Sequence, residues 1–298
     1  MLIFSAKLIF TTLLTIILLS AHTSTSNAVV KCLEEDSQKA TNWFTENHMI
    51  ANAEKFKAIL IKKDGSDTSG TPFFINNKEM KSTNKVTLLG LAINTKLNFH
   101  QHISELCRKA GGHLNALKRL RKYISAEDRK MVVHSYVLSH FNYCPMVWHF
   151  CGKGDTHKIE RIHERALRFI INDFHSDYAS LLLNENECTL YLKRVRIIAQ
   201  EVFKSLNGLN PVYAKEILKD RPSRYPTRKP LDLYIPKVNQ ISFGYRSYTY
   251  EAPHIWNSLP LDIRRAENFH IFKKSIGTWN GPSCRCNFCK YNTDVTEI

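Results

Sequence analysis

The sequence predicts an α+β protein: a small strand-and-helix segment, then a mainly helical bundle, then a loop-rich C-terminal region. Three observations predict it. Short apolar runs bounded by turn residues lie between residues 57 and 93. From His102 to Leu206 the apolar residues recur with helical spacing. After Arg221 the chain turns rich in Arg, Pro and Tyr and loses that periodicity. The expected divisions are residues 1–28, 29–100, 101–220 and 221–298.

Residues 1–28 read as a secretory leader. Lys7 precedes the apolar run Leu8 to Leu19, and Ser26-Asn27-Ala28 gives a small-x-small pattern, with cleavage expected after Ala28. The run is short for a membrane span. A fusion scar or a mistaken start is the other reading of this segment.

Asp36 to Asn47 is expected as a helix, with Ala40, Trp43 and Phe44 on one side and Asp36-Ser37 as its cap. Lys57 to Lys62 is expected as a strand ended by Asp64-Gly65, and Phe73 to Asn76 as another, turning at Asn76-Asn77. Val86 to Ile93 is a further strand, with Gly90 breaking it.

The helical part opens with Ile103, Leu106, Cys107, Ala110, Leu114, Leu117 and Leu120 on one stripe, and its basic residues fall mainly off that stripe. Gly111-Gly112 in mid-helix costs about 1 kcal/mol per Gly against Ala and marks a close helix contact or a bend. Ser125 with Asp128 starts the next helix, to about Ser139. A third starts near Asp155 or Thr156 and buries Ile159, Ile162, Ala166, Leu167 and Ile170. Thr189 to Asn207 is the fourth, stopped at Asn207-Gly208, and Asn210-Pro211 begins a short fifth. Beyond it, Leu231 to Ile235 and Tyr245 to Tyr250 are expected as short strands, Glu251 to Pro260 as a Pro-closed turn around Trp256, and Asn268 as the cap of a last helix through Ile276.

The net charge of +15 points to a polyanionic partner, nucleic acid before an anionic membrane; an inert basic surface is the alternative. Arg108, Lys109, Lys118, Arg119, Arg121, Lys122, Arg129 and Lys130 stand close together in sequence against only Glu127 and Asp128. Blocks of this kind suit phosphate contacts.

Chemistry is otherwise sparse. There is no Gly-x-Ser-x-Gly, no phosphate loop and no His-Glu-x-x-His, and Gly152-Lys153-Gly154 reads as a turn. Cys107 and Cys144 read as ordinary buried thiols. Cys284, Cys286 and Cys289 have spacing for zinc but need a fourth ligand; a reduced or disulfide-paired tail is the alternative.

Several strings in order resemble the post-catalytic portion of reverse transcriptases of jockey-like non-LTR retrotransposons. They are Trp43-Phe44 with Asn47, Asn52-x-x-Lys55-Phe56, Leu88-Leu89-Gly90 with Leu97-Asn98-Phe99, Phe141-Asn142-Tyr143-Cys144-Pro145 with Trp148, Arg165-Ala166-Leu167-Arg168, and Ile255-Trp256-Asn257-Ser258-Leu259-Pro260. The resemblance runs from about Asp36 to Tyr291.

It implies that residues 29–100 are the end of a polymerase palm and residues 101–220 a thumb-like bundle. Lys55 would lie near the triphosphate tail, and Leu88, Leu89 and Gly90 would form a primer grip. Lys109, Lys118, Arg119, Arg121 and Lys122 would contact a template–primer backbone. Polymerase chemistry in the family uses two Mg ions held by aspartates that lie upstream of the Trp43-Phe44 helix. This chain has no Asp-Asp pair. The expectation is therefore a truncated reverse transcriptase, not an enzyme as the chain stands, that retains nucleic-acid binding and needs no cofactor. A secreted basic protein that uses its leader is the alternative. The leader points to the secretory pathway and the resemblance to an intracellular setting.

Overall fold

The computed structural model describes residues 4–11, 16–23, 26–50, 56–62, 66–75, 78–221, 232–239, 244–282 and 284. The chain is mixed α+β and mostly helical. It divides into two compact units, residues 1–102 and 103–298.

In the first unit, β1 (Phe4–Thr11), β2 (Ile16–Thr23) and β3 (Lys57–Ile61) form an antiparallel sheet in the order β2-β1-β3. Much of the apolar run expected as a leader thus lies in β1 and β2. Helix α1 (Ser26–Glu46) packs against these two strands. It begins ten residues before the expected Asp36, and Ala28, the expected cleavage point, lies in its first turn. Asp36-Ser37 is therefore mid-helix rather than a cap, and the Ser37 hydroxyl donates back to Glu34 O at 2.8 Å, as a serine does inside a helix. The apolar spacing runs on upstream: Val29 and Leu33 join Phe44, Phe56, Ala58, Leu60, Phe73 and Ile75 in one core.

β4 (Pro72–Ile75) and β5 (Lys78–Lys81) pair as a hairpin. The expected turns at Asn76-Asn77 and Asp64-Gly65 lie outside the described residues. Val86 to Ile93 is not one broken strand. It is a tight hairpin of β6 (Lys85–Leu88) and β7 (Leu91–Asn94), in which Leu88 pairs with Leu91 across a two-residue loop. Leu89 and Gly90 both take positive φ, 48° and 81°, as a hairpin turn with the hand of the sheet twist requires.

Helix α2 (His100–Arg119) carries the predicted stripe, and Ile103, Ala110 and Leu114 are fully buried. At Gly111-Gly112 the helix passes α5 at ordinary contact distance: a Cβ on Gly111 would meet Ile162 at 3.6 Å, and one on Gly112 would meet nothing within 4 Å. α3 (Ala126–Tyr136) is capped by Ser125, which accepts from Asp128 N at 3.1 Å. It stops before Ser139, passing into a tighter turn of helix over Leu138–Asn142.

α4 (Pro145–Trp148) follows Cys144, which holds the left-handed conformation at φ 44° and is exposed rather than buried. Cys107 lies on the stripe but is only partly buried, and that burial pushes its thiol up to about 11. α5 (Lys153–Ile171) and α7 (Leu190–Leu206) are the two axes of this unit. α5 packs against α3, α6 (Tyr178–Asn184) and α7. α7 packs against α4, α5, α8 (Val212–Glu216), α9 (Tyr248–Ser258) and α11 (Phe269–Thr278). α10 (Leu261–Arg264) leads into α11.

The second core is built from Val195, Ile198, Val202 and Phe203 of α7 with Ile255, Trp256, Phe272 and Ile276, and Phe203 stacks on Phe272 at 4.3 Å. Here two expectations fail. Tyr245 to Tyr250 is not a strand, because Tyr248 to Ser258 coils into α9, and Pro253 sits inside that helix. The Glu251–Pro260 turn is mostly that same helix. Within Leu231 to Ile235, Leu231 lies outside the described residues and only Leu233 forms a bridge, to Asp220. No second strand is needed: the Asn257 amide accepts from Leu233 N at 2.8 Å and donates to Leu233 O at 2.9 Å, standing in for a neighbouring strand.

Candidate nucleic-acid interface and a buried charge network

The basic residues singled out on the sequence separate into different environments. Arg108 pairs with Glu105 at 2.7 Å, and Lys109 lies 3.9 Å from the same carboxylate, so this turn of α2 spends much of its charge internally. The C-terminal turn differs. Lys118, Arg119 and Lys122 are exposed, and Arg121 lies over the Phe174 ring at 5.8 Å.

Lys118 faces α5. The Arg165 guanidinium donates to Asn115 Oδ1 at 3.1 Å, one turn before Lys118 on α2. Partial burial and the charge of Arg165 both lower the Lys118 ammonium. Two like charges from two helices thus influence one another across this face, with Arg165 anchored on Asn115. Like charges repel unless an anion comes between them, so this pairing favours a phosphate on the surface.

Arg165 was not among the expected contact residues. The signal for it is helical geometry: Arg161 and Arg165 are four residues apart on α5, on the side away from buried Ile159, Ala166 and Leu167. Of the remaining expected residues, Lys55 lies outside the described residues. Leu88, Leu89 and Gly90 form the end of β6 and its turn, with Leu89 61% exposed. Cys284 is buried, while Cys286 and Cys289 lie outside the described residues. Among the described residues no group of three His, Cys, Asp or Glu side chains could hold a metal ion.

Five residues before Arg165, α5 carries a second charged cluster of opposite character. Glu160 is fully buried. It accepts from Tyr178 Oη at 2.8 Å, Leu190 N at 3.1 Å and Tyr191 N at 2.7 Å. Because the single phenolic proton goes to Glu160, the 2.8 Å contact of Tyr178 Oη with His163 Nδ1 makes His163 the donor. The order is therefore His163 N–H to Tyr178 O–H to Glu160 carboxylate.

Burial raises Glu160 above the usual carboxylate range, opposed by Arg194. Burial also holds the His163 imidazole well below its ordinary value. Arg194 is itself buried, lies 5.1 Å from the Trp148 ring centre and 5.9 Å from that of Tyr191, and its guanidinium nitrogens have no hydrogen-bond partner. This cluster ties α5 to α6 and to the start of α7. Its acid, phenol and imidazole Nδ1 are taken up by one another and all three side chains are buried, although His163 Nε2 has no partner, so the cluster works as a structural clamp.

No protein-family model, curated protein or solved structure matches this chain.

Proposed function

We propose that this chain binds the sugar–phosphate backbone of nucleic acid through the C-terminal turn of α2 and the exposed side of α5, and that it does not polymerise. The reading is that of a post-catalytic reverse-transcriptase segment of the jockey-like non-LTR type, whose thumb-like bundle keeps a grip on a template–primer duplex. The observation that carries it is the like-charge pairing of Lys118 on α2 with Arg165 on α5, the latter anchored on Asn115, flanked by exposed Arg119 and Lys122. The net charge of +15 and the ordered motifs around Asn142 and Trp256 support the same reading. Without an Asp-Asp pair the chain has no evident holder for two catalytic metal ions.

The test is fluorescence anisotropy with a labelled 20-base-pair RNA–DNA hybrid. Binding should weaken steeply between 50 and 200 mM salt, with a log–log slope of roughly −0.9 for each phosphate neutralised. A slope near zero, or nucleotide incorporation on a primed RNA template with magnesium, would sink the proposal.

A further inference from the structure

The second unit holds a cavity of about 540 Å³, away from the α2 turn just described. Its size is within the range of small-molecule sites, roughly 300–1,000 Å³. Its wall is unusual in being both aromatic and basic. Tyr191, Tyr245 and Tyr250 line it with Lys153 and Arg246, and Glu251 is the one carboxylate among its described lining residues. Tyr250 stands edge-on to Tyr245 with centroids 4.9 Å apart, and the His254 ring lies 4.6 Å from it.

One end of the cavity gathers two cations, Lys153 and Arg246, at a helix start whose first turn also holds buried Asp155, paired with Lys158 at 3.3 Å. α5 starts there. Gly152 is its N-cap, and no side chain caps the first turn. The partial positive charge of a helix start attracts anions and repels cations. Yet Lys153 occupies that turn, and the Arg246 guanidinium lies over Gly152, its nitrogens 3.8 and 3.9 Å from where a Cβ would stand. Among the described residues, no carboxylate stands in ion-pair range of Arg246 or Lys153.

A second observation is independent of that helix start. His149 lines the same cavity and is 6% exposed, and its Nδ1 has no partner. Behind it lies buried Arg194, whose guanidinium is likewise without a hydrogen bond and faces the ring of Tyr191. Burial, with Arg194 beside it, keeps the His149 imidazole neutral, so it can donate or accept. Nδ1 itself is shut off from solvent, so its missing partner is a cost borne by the fold, and the rest of the ring meets the cavity.

We propose that this cavity binds a single nucleotide unit, its base against the tyrosines and its phosphate at the start of α5 between Lys153 and Arg246. Aromatic faces accept any base, and a helix start with two cations suits one phosphate. The unit is a free nucleoside monophosphate or the unpaired nucleotide of a strand, which present the same chemistry. The site is separate from the backbone-binding face and stands without it.

Calorimetric titration of the full chain tests this with AMP, adenosine, ribose 5-phosphate and a 5′-phosphorylated tetranucleotide. AMP binds, and adenosine and ribose 5-phosphate each bind at least about tenfold more weakly, since one half of the recognition is missing. Arg246→Ala and Tyr250→Leu each weaken AMP by about tenfold without moving the thermal midpoint. Tighter binding of the tetranucleotide than of AMP assigns the site to a strand, and the reverse order assigns it to the free nucleotide; both support it. Ribose 5-phosphate binding as tightly as AMP overturns it, as does no AMP binding at millimolar concentration. Lys118→Glu with Arg165→Glu must leave AMP binding intact. Its loss in that variant places AMP on the basic face and overturns the inference, while failure of duplex binding alone leaves this site standing.

Discussion

Two charged clusters sit on one helix, five residues apart, and they use charge in opposite ways. Around Glu160, charge is removed from water and answered from within: a phenol, two backbone N–H groups and a nearby guanidinium face the carboxylate. Around Arg165, charge is held at the surface beside more of the same sign. The first arrangement satisfies its carboxylate from within even though His163 Nε2 and the Arg194 guanidinium lack hydrogen bonds, and the second is comfortable only when something arrives. That contrast separates charges that build the fold from charges that can recruit a partner, although the residue types are the same.

Removing the carboxylate has the largest expected effect. Glu160→Ala leaves two backbone N–H groups and the Tyr178 hydroxyl without an acceptor and strands Arg194 as a buried cation. The expected loss is about 3–5 kcal/mol of unfolding free energy, read by denaturant titration. Adding Arg194→Met should recover part of it, because the stranded charge goes too. A loss below about 1 kcal/mol would mean the cluster is not the clamp described.

The surface cluster answers to a different measurement. Lys118→Glu with Arg165→Glu should weaken binding of the RNA–DNA hybrid by about 100-fold at 0.1 M salt, roughly tenfold per lost phosphate contact, and flatten the salt dependence by about two contacts. The unfolding midpoint should not fall, since the change converts a repelling pair into another pair at the surface. Lys109→Glu is the internal contrast. Its ammonium already lies near Glu105, so it should cost less binding than either reversal at the α2–α5 junction.

How far these clusters could be read from the sequence follows from what each depends on. The stripe of α2 and the caps at Ser125, Thr189 and Asn268 depend on neighbours within one turn, and the order of residues reveals them. Basic residues near Lys118 were visible for the same reason. Arg165 was not selected, because its value comes from Asn115 and Lys118, some fifty residues away. Glu160 looked like any helix-surface acid in Lys158-Ile159-Glu160, yet its partners are Tyr178, Leu190 and Tyr191. The false strand at Tyr245 to Tyr250 has a similar cause: an aromatic run favours a strand locally, but packing of Ile255 and Trp256 against α7 and α11 favours a helix. The α1 start is masked because residues 26–33 have the small, apolar composition of a leader's end, while the helical spacing of Val29 and Leu33 gains meaning only from the core they share with Phe44 and Phe56.

The smallest effect expected, and the finest test of the clamp, is its response to acid. His163 is neutral in the folded chain, with its value held well below the ordinary 6.5 first by burial and then by the nearby charges of Lys193 and His134. An unfolded chain takes up a proton on this imidazole below about pH 6.5 and the folded chain does not, so protons favour unfolding. Stability contributed by this group is complete above about pH 6.5 and declines by about 1.4 kcal/mol per pH unit as the pH falls further, until the folded imidazole also titrates. Glu160 acts in the other sense: its raised value means that the folded chain takes up a proton before the unfolded one, so acid partly offsets the loss. Comparing the parent with His163→Gln cancels that term, because Glu160 is present in both. Glutamine keeps an N–H to donate to Tyr178 Oη but cannot be protonated. Unfolding free energies measured at pH 7 and pH 5.5 should therefore fall more for the parent than for His163→Gln, by about 1 kcal/mol. Equal falls would show that the His163–Tyr178–Glu160 chain does not hold its imidazole neutral.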